Sequence, residues 1–156
     1  MDRKPDRLSA NRICDLTGVN RQTRADWADR QLLRSARDYG ERDVIEQLVL
    51  NELLAKLKKS DVPAIWSEVQ GHLRGSVVGA DVVLVWDPGA RRVQITAEAT
   101  ELRQAVCHGR AVHVLPLGEL AAEARRLYRH EVEARKRVHA TKAARSRKSP
   151  GQERGA

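Results

Sequence analysis

Leu16-Thr17-Gly18-Val19-Asn20-Arg21-Gln22-Thr23 is the stretch on which the reading of this chain turns. Ser9, a good N-cap residue, opens a short helix with an apolar stripe of Ile13, Leu16 and Val19, and Gly18 ends it. Asn20 then caps a second helix running to about Arg30, with Trp27 as its principal buried contact. Arg21, Gln22 and Arg24 stand near its exposed beginning. The unit is a helix, a three-residue turn and a helix.

Leu32 and Leu33 precede a polar stretch from Arg34 to Gly40. Val44, Ile45, Leu48, Val49, Leu53, Leu54 and Leu57 then recur at helical spacing, which predicts a third helix packed on the first two. Ser60 and Asp61 favour a cap and Pro63 a first turn, so another helix is expected from about Asp61 to Leu73 with Ile65, Trp66, Val69 and Leu73 inward. From Gly75 the pattern changes. Val82 to Trp86 and Arg91 to Thr96 read as a β-hairpin around Asp87, Pro88, Gly89 and Ala90, and Ala111 to Leu115 as a third strand. A short helix is expected between Ala97 and His108.

Pro116 opens the last helix, with Leu117, Leu120, Ala121, Ala124, Leu127 and Tyr128 on one face. That face turns polar at Glu131, where packing is expected to end. The fold class is therefore α+β, divided into a helical unit over 1–58, a helix plus small α/β unit over 59–115, a basic helix over 116–148 and a disordered tail over 149–156.

Charge follows the same division. The 156 residues carry 29 Lys and Arg against 21 Asp and Glu, a net charge of +8. Residues 1–58 contribute +2, 59–115 nothing and 116–156 the remaining +6, so the C-terminal part holds most of the field that attracts a polyanion. With no Phe and three Trp, the core must be largely aliphatic.

Several functions lack the residues to carry them. The longest apolar run, Val82 to Trp86, is far below the roughly 20 residues of a membrane span. Met1 to Arg7 is charged and leads into no apolar stretch of signal-peptide length, which makes a cytoplasmic protein the expectation. Cys14 and Cys107 are then expected as free thiols. Cys107 and His108 with His72 and His113 lack the ligand spacing of a zinc site, and neither metal nor cofactor is expected. Asp81, Asp87, Glu98 and Glu101 are not spaced for acid and base work, and no phosphate loop or nucleophile elbow appears. No enzyme is expected.

The run Leu16 to Thr23, then Trp27, Leu32-Leu33 and Tyr39-Gly40-Glu41-Arg42-Asp43-Val44, resembles the winged helix-turn-helix domain of the MerR family of bacterial regulators over about residues 8 to 57. The chain departs from that pattern at Arg24, Ala25 and Asp26, and in a short wing between Leu33 and Tyr39 that resembles the small excisionases instead. The resemblance implies a dimer, for which Leu117, Leu120, Ala124 and Leu127 are the candidate seam, and it implies duplex DNA as partner and with it a nucleoid-associated place in the cell.

An α-helix fits the major groove, and residues at its beginning face base edges and phosphates. The candidate contacts are Asn20, Arg21, Gln22, Thr23 and Arg24, with Arg34 and Arg37 on the presumed wing. Three functions stay open: a MerR-like transcriptional regulator, an excisionase-like architectural factor of a phage or integrative element, and a protein-interaction adaptor with a degenerate helix-turn-helix. A protein partner through residues 76–128 is also expected, since a small sheet with exposed edges invites pairing.

Overall fold

A computed structural model describes residues 4–75, 78–106 and 112–148. In chain order the elements are α1 (Ala10–Thr17), α2 (Arg21–Asp29), α3 (Glu41–Lys56), α4 (Val62–Gly75), β1 (Val83–Asp87), β2 (Arg92–Thr96), α5 (Ala99–Val106), β3 (His113–Leu115) and α6 (Leu117–Arg147). The fold is α+β, with a three-stranded antiparallel sheet in the order β2-β1-β3. Cys107, His108 and Ala111, and the tail over 149–156, lie outside the described residues.

The helix ends form for local reasons. Ser9 Oγ accepts from the Arg12 amide at 3.2 Å and Asn20 Oδ1 from the Gln22 amide at 2.8 Å, each satisfying a donor that the first turn leaves open. Gly18 closes α1 at φ +70°, a left-handed geometry that a side chain would strain. Val19, in the turn, is buried with Ile13 and Trp27.

Helix α3 is the central element, with α1, α4 and α6 against it. Its residues from Asp43 to Ile45, and then Glu46 and Gln47, are all buried, so its apolar stripe understates how much of its circumference is covered. The polar members are matched from different directions. Asp43 accepts from Arg34 and from the Gly40 amide, Glu46 from Arg74, and Gln47 accepts from Arg24 and donates to Thr17. Each pair satisfies a buried polar group and also fixes one neighbouring segment on α3. The carbonyl of Leu32, just after α2, is held by Trp66 Nε1 at 2.6 Å and Gln70 Nε2 at 3.2 Å, both on α4.

In the sheet, Leu84 pairs with Ile95 on one side and Leu115 on the other. Leu84, Trp86 and Leu115 join the same core cluster as Leu8, Val44 and Ile65. The hairpin turn holds the Ala90 amide on Asp87 Oδ1 at 3.0 Å, and Arg91 takes a left-handed φ of 50°. Helix α6 starts against this sheet: the Gly118 amide donates to the Val82 carbonyl at 2.8 Å, and a Cβ on Gly118 would overlap the backbone of Gly79 and Ala80.

Two expectations are corrected. Packing along α6 does not end at Glu131, because Glu131 and Val132 are both buried. Glu131 lies seven residues beyond Ala124, two helical turns along the same buried face, and arginines make its burial tolerable. The proposed dimer seam is partly spent inside the chain, since Leu117 and Ala124 are fully covered and Leu120 packs against the core. The segment expected as a short wing, between Leu33 and Tyr39, forms no strand pair of its own; among the described residues its ladder contact is the isolated bridge between Tyr39 and Leu8, with N–H···O distances of 2.9 and 3.0 Å.

Candidate nucleic-acid interface

The first turn of α2 stands outward because its other side is anchored by Trp27, buried among the core residues, and by the Val19 turn. Asn20, Arg21 and Gln22 are exposed there, and Thr23 is half-buried. Asn20 spends its side-chain oxygen on the cap, and Gln22 Nε2 donates to Asp26 Oδ1 at 3.2 Å. Arg21 is the exposed cation of the turn: its side chain is 65 % exposed, and it faces Asp15 at 3.9 Å. Thr23 and Trp27 also border a cleft of about 500 Å³, shared with Arg30, Asn51, Leu54 and Lys59.

Arg24 departs from the expectation that it reaches toward a groove. It is buried, its Nε donates to Gln47 Oε1 at 2.9 Å, and its guanidinium lies 4.4 Å from the centre of the Tyr39 ring. Three residues before Trp27, it shares that residue's inward face, and the helical spacing alone carried this signal. Arg34 is half-committed. Its Nη2 donates to Asp43 Oδ2 at 2.7 Å and to the Asp38 carbonyl at 3.1 Å, and the Asp43 hydrogen bond raises its pKa. Arg37 is exposed on the same loop. The structure thus brings Asn20, Arg21, Gln22 and Thr23 together on one turn, puts Arg34 and Arg37 on the loop before α3, and takes Arg24 into the interior.

Charge on the outer side of α2 is balanced rather than basic, with Asp26 and Asp29 beside Arg21 and Arg30. What joins this turn to the positive part of the chain is a relay of ion pairs. Arg21 faces Asp15, Asp15 faces Arg12 at 3.7 Å, Arg12 holds Glu131 through two hydrogen bonds of 2.8 and 2.7 Å, and Glu131 accepts from Arg135 at 2.8 Å. The Arg12 hydrogen bond, reinforced by that of Arg135, overcomes burial and holds the Glu131 carboxyl down to about 2. Two further bonds fasten α6 to the N-terminal segment: Tyr128 Oη donates to the Asp6 carbonyl at 2.8 Å and Arg135 Nη1 to the Arg7 carbonyl at 3.1 Å. Arg12, Glu131 and Arg135 were absent from the sequence-derived site; the i, i+4 spacing of Glu131 and Arg135 was legible, but their meeting with Arg12 was not.

Beyond Arg135 every residue of α6 is exposed. Among the described residues, no three His, Cys, Asp or Glu side chains come together to hold a metal, and no helix is long and apolar enough to cross a membrane. Cys14 is a buried free thiol, 3.9 Å from Gln47 Nε2. The chain matches no protein-family model and no curated protein.

Proposed function

We propose that this chain is a sequence-specific DNA-binding protein, a MerR-like regulator that enters the major groove with the first turn of α2. The observation that carries the reading is the exposure of Arg21 and Gln22 on a capped helix start, directly after a tight turn and rooted from behind by Trp27. An α-helix presented in this way has the width of the groove, and an arginine at its beginning has the donor geometry to grip guanine or phosphate. The loop holding Arg34 and Arg37 takes the place of a wing, with Arg34 tied to Asp43.

The test is a binding series against genomic duplex fragments at low salt, with the wild-type chain and Arg21→Ala. Binding to a subset of fragments, weakened by about 1 to 3 kcal/mol in the variant, is the expected result if Arg21 reads a base. Equal affinity for every fragment, unmoved by the substitution, would remove α2 from the interface.

One observation favours a second reading. Asp15 faces Arg21, Asp26 and Asp29 stand exposed on α2, and Arg24 is buried, so this face offers a mixed-charge surface on which another protein can dock. In that adaptor reading no duplex is retained even at low salt.

A further inference from the structure

We propose that the exposed end of α6, from Lys136 to Lys148, is a second duplex-DNA contact, lying along the phosphate backbone beside the groove that α2 enters. The inference rests on the DNA-binding reading of α2 and extends it to a surface with no part in sequence recognition.

The composition of this segment is one-sided. Between Lys136 and Lys148 stand Lys136, Arg137, Lys142, Arg145, Arg147 and Lys148 and no acidic residue, and every side chain is exposed. Several arginines elsewhere sit on carboxylates: Arg12 and Arg135 on Glu131, Arg34 on Asp43, Arg74 on Glu46 and Arg126 on Glu123. Here Lys136 meets Glu133 at 3.5 Å, while the other five cations have no acidic partner among the described residues. Lys142, Arg145 and Lys148 follow one another at three-residue spacing, where like charges repel along a helix. A polyanion relieves that repulsion. Val138 is the one large apolar side chain of the segment, so neither a lipid surface nor an apolar protein groove finds a matching face.

Position supports the same occupant. The segment leaves the body of the protein at Arg135, the last member of the relay that begins at Arg21, so the recognition turn and the base of the basic helix share one stretch of surface. The helical residues from Lys136 to Arg147 extend about 18 Å, long enough to pass roughly five phosphates of one strand.

The experiment uses the full chain and fluorescence anisotropy on a labelled duplex a few turns long, across a salt series. The five-fold variant Arg137→Gln, Lys142→Gln, Arg145→Gln, Arg147→Gln and Lys148→Gln keeps helix-forming residues, and its helicity is checked by circular dichroism. Each lost phosphate contact removes about 0.9 from the slope of log K against log salt, so the slope is expected to flatten by about 2 to 4, with affinity reduced alike on all sequences. Arg21→Ala, measured in parallel, is expected to reduce discrimination between sequences while changing the slope by no more than about 1.

A five-fold variant with the wild-type slope overturns the α6 contact, and leaves the α2 reading standing if Arg21→Ala still loses discrimination. A flattened slope with Arg21→Ala silent supports the α6 contact and removes α2 instead. Failure of the wild type to hold any duplex at low salt, or a loss by the five-fold variant of binding to anionic phospholipid vesicles but not to duplex, overturns the proposal.

Discussion

Glu131→Gln changes one oxygen for an amide group at the junction of α6 with α1, and so isolates the charge of that residue from its shape. The wild-type carboxylate receives two hydrogen bonds from Arg12 and one from Arg135, and its side chain is 9 % exposed. Its pKa of about 2 in the folded chain, against an ordinary 4.5, corresponds to roughly 3 kcal/mol of preference for the ionised form. Arg12 is 41 % exposed, so water takes over part of its solvation when the charge is lost, and the expected destabilisation at neutral pH is about 2 kcal/mol. For a chain of this size that is a fall of about 4 to 8 °C in Tm.

The sign with pH follows from the depressed pKa. The stabilisation is complete above the unfolded value and is lost as pH falls from about 5 toward 2, because protons then bind the unfolded carboxyl first. Urea unfolding followed by Trp fluorescence, at several pH values, should therefore show a gap between wild type and Glu131→Gln that is constant from pH 7 to about 5 and closes below it. A gap under about 0.5 kcal/mol at neutral pH, or one that persists unchanged into acid, would refute the assignment of this ion pair as the fastening between α6 and α1.

Arg24→Ala should cost about 2 to 4 kcal/mol in denaturant unfolding, because it strands Gln47 Oε1 and removes the Tyr39 stack, whereas Arg21→Ala should change stability by less than about 0.5 kcal/mol. Gly118→Ala should lower Tm sharply or give insoluble protein, since the new Cβ overlaps the backbone of Gly79 and Ala80; normal stability would mean that the start of α6 sits further from that loop. Gly18→Ala should cost about 1 kcal/mol through its positive φ and leave the surface of α2 unaltered, so that any effect on duplex binding tracks stability.

The helix boundaries were written in short-range chemistry. Ser9, Gly18 and Asn20 act on backbone groups two or three residues away, and Asp87 to Ala90 act within a single turn, so their effects need no knowledge of distant partners. Helical spacing likewise places Val44, Ile65 and Trp66 inward, and all three are buried. The accumulation of positive charge on α6 is also a property of composition, and it is found exposed on the folded chain.

Arg24 and Glu131 mark where such reasoning stops. A charged side chain reads as surface because burying it alone is too costly, and that rule gives way when a matching group arrives from elsewhere in the chain. Gln47 lies 23 residues from Arg24, and Arg12 lies 119 from Glu131, so neither match is visible in a local pattern. The same holds for α3, whose covered circumference depends on α1, α4 and α6 converging on it. Residue order and local energetics thus set where the helices and strands begin and end. Which polar groups turn inward, and which cations stay free to meet a partner, was left to the assembly of elements far apart in the chain, because the cost of burying a charge depends on what it meets.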